Sequence, residues 1–399
     1  MVESGARLEW ESKTSDAKEP YMLVDKHSSG GVGDKVSLIL APLVACLGMR
    51  VPMMAGRGLG HTGGTIDKLE SIPGYNTKLD IPTFQKIVLG DVGCAIVSPT
   101  TQVCPADRKI YALRDVTCTV SSIPLATASI MSKKIAENPH SLVLDCKFGR
   151  AAFFERVTQA EELAHSLIAT GEGNGVKTTA FLTRVDHPIG RAIGNWLEVY
   201  ECIQMMKTGT GPFDLLTLVV MQAAQMIQPK YPDLSWEERI DKTLKMLQSG
   251  QVYTKFRDMV EAQGGEVAVC DACAINQAKF THDILSPADG FVVDMNALEM
   301  GLASVKLGAG RTKAEDAVDP AAGIYLHATV GEAVKQGAVV ATLYTNISEA
   351  VLESATQMVQ DAIQYADAPV EVPNIVSHRV FPGGKIEEMS LPDQLKNLA

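Results

Sequence analysis

Apolar and polar positions alternate with two different periods along the first half of the chain. Residues 21–25 form a short apolar run that predicts a strand, followed by a glycine-dense loop and an amphipathic helix over 35–47. Residues 94–97, 142–145 and 178–182 read as further buried strands, with helices expected near 83–91, 124–137 and 156–170. Strands separated by helices in this way predict an α/β unit built on a largely parallel sheet. From 188 to 264 the pattern is helical, and 213–227 is apolar on most faces and therefore expected to be buried. Beyond residue 285 short runs at 291–293, 324–326 and 339–343 are joined by Gly-containing turns, which predicts a separate C-terminal α+β unit.

Charge narrows the function classes. The chain has 399 residues, with 36 Lys and Arg against 47 Asp and Glu and a formal net charge of −11. No surplus of positive charge exists to neutralise a nucleic-acid backbone, so an anion must be met by local donors. Eight cysteines stand in mostly apolar surroundings, the pattern of buried free thiols in a reducing compartment. The pair Cys270-Asp-Ala-Cys273 has no second pair or His cluster to complete a zinc site. The first residues lack a basic segment followed by an apolar one, and the longest greasy run, 36–49, is too short to span a bilayer. A soluble cytoplasmic protein without metal or membrane partner is expected.

Three constellations carry candidate chemistry. Lys26-His-Ser-Ser-Gly-Gly-Val-Gly-Asp34 lies between an expected strand and an expected helix. Glycines there let backbone N–H groups approach an oxyanion, with Lys26 and Ser28 as added donors; a tight strand–helix turn is the plain alternative. Gly58-x-Gly60-x-x-Gly63, in the loop from Gly56 to Thr65, formally matches a dinucleotide fingerprint, but the region after it breaks before a long crossover helix. Tyr111 and Arg114 are three apart and Ser129 and Lys133 four apart, with Pro124 opening the second helix. Converging, these four side chains suit a planar ligand with carbonyl oxygens and an N–H; apart, they are a solvated helix face.

The motifs Asp25-Lys-His-Ser-Ser-Gly-Gly-Val-Gly-Asp-Lys35, Gly56-Arg-Gly-Leu-Gly-His-Thr-Gly-Gly-Thr65, Asp67-Lys-Leu-Glu-Ser-Ile-Pro-Gly74, Arg114-Asp-Val-Thr117 and Ala128-Ser-Ile-Met-Ser-Lys133 resemble those of the thymidine/pyrimidine-nucleoside phosphorylase family. Leu307-Gly-Ala-Gly-Arg311 and Asp319-Pro-Ala-Ala-Gly-Ile324 extend the resemblance towards the C-terminus. It implies a small helical domain beside a large α/β domain, with closure of the cleft between them. It divides the chain into 1–20 (remnant of the helical domain and linker), 21–103 (α/β, first part), 104–138 (helical segment), 139–280 (α/β, second part) and 281–399 (C-terminal α+β unit).

The implied reaction is reversible phosphorolysis of thymidine to thymine and 2-deoxy-α-D-ribose 1-phosphate, with phosphate as co-substrate and no cofactor. A broader enzyme that also takes uridine, or a shortened non-catalytic paralogue, are the alternatives. By resemblance Lys26, Ser28, Ser37 and Thr65 are phosphate ligands. Tyr111, Arg114, Ser129 and Lys133 bind the base, and His27, Arg114 and Lys133 are catalytic. A homodimer is implied where the helical domain is complete. Three positions depart from the family pattern: Ala55 replaces a usual phosphate-binding serine, Pro99 is expected to stiffen the hinge, and Arg150 to crowd or charge it.

Overall fold

The computed structural model describes residues 1–10, 21–58, 60–100, 102–117, 119, 121–275, 278–311, 316–396 and 398; the side chains of 108, 111, 112, 115 and 116 also lie outside the description. Strand β1 (Val24–Ser28) leads through the first Gly-rich loop into α1 (Val36–Cys46), and β2 (Val51–Met54) follows. The second Gly-rich loop opens α2 (Thr65–Glu70), then come α3 (Ile81–Leu89) and β3 (Cys94–Val97). Helices α4 (Pro105–Val116) and α5 (Ile123–Glu137) form an excursion before β4 (Ser141–Phe148), α6 (Val157–Gly173) and β5 (Lys177–Arg184).

Strands β1, β4 and β5 are parallel neighbours, and β2 pairs in parallel with β3. A single parallel bridge, Leu23 with Arg50, joins the two sets into one layer. The far edge is different: Val376–Val380 pairs antiparallel with β5, and Ile386–Glu388 pairs with that strand. The chain thus returns from the C-terminal unit to extend the central sheet, which no periodicity announces. The C-terminal unit itself carries a four-stranded sheet, in which Ala192–Ile193 pairs with Gly323–Leu326.

Burial explains the patterning. Residues 36–45 of α1 are all buried, because the helix is wedged against Phe213–Met226 and Gln251–Ala262 as well as the sheet. All eight residues of β4 are buried, Asp145 and Lys147 included. A charged group survives there only if it is paired, and these two are paired with each other at 2.8 Å. The N-terminal segment, expected as a remnant of the helical domain, forms a 3₁₀ turn, Val2–Ser4. Residues 11–20 of the expected linker lie outside the described residues.

Candidate active site

The first Gly-rich loop is held open by its glycines and closed by its ions. Gly33 has φ +74°, and a Cβ on it would stand 2.4 Å from the Ile189 carbonyl oxygen. No other residue fits there without moving backbone. Ser28 Oγ donates to Asp34 Oδ2 at 2.6 Å, and the Ser29 amide donates to the Asp145 carbonyl at 3.0 Å. Burial works against the Asp34 carboxylate. The Lys147, Lys26 and Lys68 ammonium groups and the Ser28 hydroxyl outweigh it and hold its pKa far below the usual range.

Lys26 is buried, yet its ammonium is loosely held: Nζ donates to Ser37 Oγ at 3.5 Å and lies 3.7 Å from Asp145 Oδ2. Its neighbour Lys147 takes the short contact to Asp145. Lys26, Ser28 and Ser37 are therefore joined in one network around the loop. Thr65 is the first residue of α2 and half-buried. Three residues on, Lys68 Nζ donates to the Asp34 carbonyl at 2.5 Å and pairs with Glu198 at 2.8 Å, which fastens the second loop to the first. The helix that follows the second loop spans six residues, not the long crossover of a dinucleotide fold. Lys35, next to Asp34, is anchored by donating to the Ile189 and Ala192 carbonyls, each at 2.9 Å, and to Glu201.

The second group of expected site residues rides on α4 and α5. Ser129 and Lys133 share one face of α5: Lys133 Nζ donates to Ser129 O at 2.5 Å and to Ser129 Oγ at 3.2 Å. Its third partner is the carboxylate of Asp107 on α4. Burial lowers the Lys133 pKa, with Asp107 opposing it. Arg114 is buried and its Nε donates to the Thr119 carbonyl at 3.4 Å. The backbone of Tyr111 lies one turn before Arg114 on α4; its side chain is outside the described residues.

His27 links the two groups. It follows Lys26 on β1, and its imidazole pKa is lowered well below the ordinary value by burial first, then by Lys134, Lys133 and Lys26. Cations from the first loop and from α5 thus act on one ring, so the loop and the helix excursion converge at His27. The ring is neutral near pH 7.

Several members of this network were not singled out from the sequence. Asp107 lies four residues before Tyr111 and seven before Arg114, the spacing of one helical face, and that signal was legible. Asp145 and Lys147 were visible as charges inside an apolar strand. The departures also find places. Ala55 follows β2 and its amide donates to Val97 O at 2.9 Å. Ser98, before Pro99, donates to the Thr77 carbonyl through its amide at 2.8 Å and its hydroxyl at 3.1 Å. Arg150 forks onto Asp294 at 2.9 and 2.6 Å, tying the turn after β4 to the C-terminal unit instead of crowding the loop. Cys270 and Cys273 are buried thiols, and burial pushes Cys270 up to about 12, so neither is a ready thiolate. Among the described residues no helix is long and apolar enough to cross a membrane.

The chain has relatives among known proteins. Residues 20–253 match the glycosyl transferase family a/b domain, and residues 291–366 match the pyrimidine nucleoside phosphorylase C-terminal domain. A pyrimidine-nucleoside phosphorylase of Staphylococcus epidermidis is 42% identical over 88% of this chain and 79% of its own length. One of Staphylococcus aureus is 41% identical over 96% of this chain and 84% of its own length. A solved anthranilate phosphoribosyltransferase from Thermus thermophilus aligns with TM-score 0.49 and 16% identity over 66% of this chain and 82% of that one, too distant to bear on function. With one domain description covering the α/β part, a second covering the C-terminal unit, and relatives at about two-fifths identity along nearly the whole chain, this protein belongs to the thymidine/pyrimidine-nucleoside phosphorylase family.

Proposed function

We propose that the chain catalyses phosphorolysis of pyrimidine nucleosides, with thymidine as the substrate it serves first. The observation that supports this reading best is that the ammonium groups of Lys133, on α5, and of Lys26, at the first loop, both act on the buried His27 ring. Phosphate binds at the first loop through Lys26, Ser28 and Ser37, with Thr65 completing the ligand set from α2. The loosely held Lys26 ammonium gains a full ionic partner when the anion arrives. The pyrimidine lies against α4 and α5, where Arg114 and Lys133 meet its carbonyl oxygens, Ser129 meets N3 and Tyr111 flanks the ring.

In the reaction a phosphate oxygen bonds to the anomeric carbon from the face opposite the base. The bond from that carbon to N1 breaks, and its electron pair stays on the pyrimidine. Fixed donors aimed at the developing anion lower the barrier. A neutral His27 donates its N–H to the departing O2 and does not begin the cycle as imidazolium. Holding both reactants in line contributes roughly 7–11 kcal/mol when the geometry is right, and closure of the α4–α5 excursion over the loops supplies it. The sugar leaves as its 1-phosphate, and the proton carried in by the monohydrogen phosphate passes to the pyrimidine anion, which leaves as the neutral base.

The free thiols, seven among the described residues, fit a cytoplasmic setting. A homodimer is part of this reading. The test is phosphate-dependent release of thymine from thymidine by the purified protein, with uridine assayed beside it. Thymine release that requires phosphate and exceeds uracil release supports the reading. Equal rates make the enzyme broad, and no release returns the chain to the non-catalytic alternative that Ala55 suggests.

A further inference from the structure

Near His27, three fully buried ionisable groups meet where β1, β2 and α5 come together. Lys134 Nζ on α5 donates to Asp25 Oδ2 at 2.5 Å, to the Met54 carbonyl at 2.8 Å and to Glu137 Oε1 at 3.0 Å. The Met54 amide donates to the same Glu137 Oε1 at 2.7 Å. Each carboxyl group has a second oxygen, Asp25 Oδ1 and Glu137 Oε2, that is buried and accepts from no donor among the described residues. If both acids were ionised, two negative charges would face one ammonium in a dry interior. Such an interior does not tolerate a charge without a partner.

Among the described residues no outside cation balances the count. From β1, Lys26 faces Ser37 and Asp145; from α5, Lys133 is taken by Asp107; His27 is neutral; and β2 presents only the Met54 backbone. Burial, followed by the charge of Asp25, pushes the Glu137 carboxyl well above the usual range, and the two carboxyl groups lie close enough to share a hydrogen bond. Two acceptor oxygens can share a hydrogen bond only if one of them carries a proton.

We propose that Glu137 is protonated on Oε2 and donates to Asp25 Oδ1, so that Asp25, Lys134 and Glu137 form a one-proton pin between the strand bearing Lys26, His27 and Ser28 and the helix bearing Ser129 and Lys133. All three are positioning residues. The pin fastens the element expected to hold phosphate to the element expected to hold the base, and charge balance keeps it closed: one carboxylate, one ammonium, one neutral acid. Its role in turnover rests on the proposed phosphorolysis; the proton count does not.

The proton is read without turnover. In the infrared difference spectrum of wild type minus Glu137→Gln at pH 7, a carbonyl stretch of a protonated carboxylic acid is expected above the amide envelope. It should also vanish in Asp25→Asn, because the new amide donates to Glu137 and lets it ionise against Lys134. Absence of that band in wild type overturns the proposal. The pH dependence of stability gives a second reading with a fixed sign. Folded Glu137 keeps its proton as the unfolded chain loses it, so wild type loses stability as pH rises above the usual Glu range. The melting temperature of Glu137→Gln relative to wild type should therefore climb with pH; a flat difference overturns the raised titration.

Turnover tests the positioning role. The glutamine keeps the acceptor for Met54 and Lys134 and supplies the donor to Asp25, so kcat and both KM values should stay within about twofold of wild type. Glu137→Ala cuts the link and should lower kcat about tenfold or more, with Glu137→Gln as the rescue. A folded Glu137→Ala protein with wild-type kinetics overturns the positioning role. If no variant and no wild type releases thymine while the band is present, the functional reading fails and the pin stands.

Discussion

Lys133 and Asp107 face each other across α5 and α4, the ammonium bound to a buried carboxylate while the same nitrogen donates to Ser129 O at 2.5 Å. This contact joins the two helices at the point where the base is expected. It also gives Lys133 a fixed direction, since an ammonium with three partners has little freedom left to turn.

Lys133→Met should therefore do two separable things. Loss of one fixed donor to a developing anion should lower kcat/KM for the nucleoside by at least about 10²-fold. It also leaves the Asp107 carboxylate buried without its cation, so the melting temperature should fall. The double variant Lys133→Met with Asp107→Asn should recover much of the stability and none of the activity. Steady-state kinetics and thermal melts on the three proteins separate the two effects, and recovered activity in the double variant would contradict the assignment.

Lys26→Met should affect phosphate almost alone. Asp145, its ion partner at 3.7 Å, keeps Lys147 at 2.8 Å, Gln222 at 2.9 Å and the Thr183 hydroxyl, so no carboxylate is orphaned. Stability should change by less than about 1 kcal/mol, while the KM for phosphate rises at least about tenfold and that for nucleoside stays near its original value. Initial rates over a grid of both substrates measure this.

Ala55→Ser is the gain-of-contact experiment. Ala55 is half-buried at the end of β2, with its amide already donating to Val97 O at 2.9 Å, so a hydroxyl can be added without unmaking the backbone bond. A hydrogen bond to a charged group contributes about 1.5–3 kcal/mol, which corresponds to a fall in the phosphate KM of roughly 10- to 100-fold. An unchanged KM would place residue 55 outside the reach of the anion.

His27 sets a pH dependence with a definite sign. Its folded pKa lies below the ordinary value of 6.5, so below about pH 6.5 the unfolded chain binds a proton that the folded ring refuses. This share of stability is complete above that pH and is lost as pH falls towards the folded pKa. His27→Asn should flatten the acid side of the stability profile, measured as the urea midpoint against pH. Because the ring is already neutral, kcat/KM should show no inflection from His27 between about pH 7 and 8.5. An inflection that disappears in His27→Asn would mean that the ring acts as imidazolium.

Much of this protein follows from local pattern. The run at 94–97 is a strand to the residue because it is apolar throughout and Gly93, at φ +78°, turns the chain into it. Pro124 falls in the first turn of α5, where its missing N–H costs nothing, and the spacing of Ser129 and Lys133 then brings them together as one helical turn must. Gly33 declares a backbone that only glycine adopts beside Ile189. These features depend on neighbours within a few residues, and a sequence displays those neighbours.

Partner choice was decided by the tertiary structure. Lys26, Lys35, Lys68, Lys134 and Lys147 are all buried, and nothing in their local sequence tells one from another. Folding sends Lys35 to Glu201, Lys68 to Glu198, Lys134 to Asp25 and Glu137, and leaves Lys26 the long contacts that suit an incoming anion. The return of Val376–Val380 to the edge of β5 is of the same kind. Amino-acid order and period determine which residues form a strand, a helix or a tight loop. Which charge finds which partner depends on distances and burial between segments far apart in the chain, and those exist only once the core has closed around them.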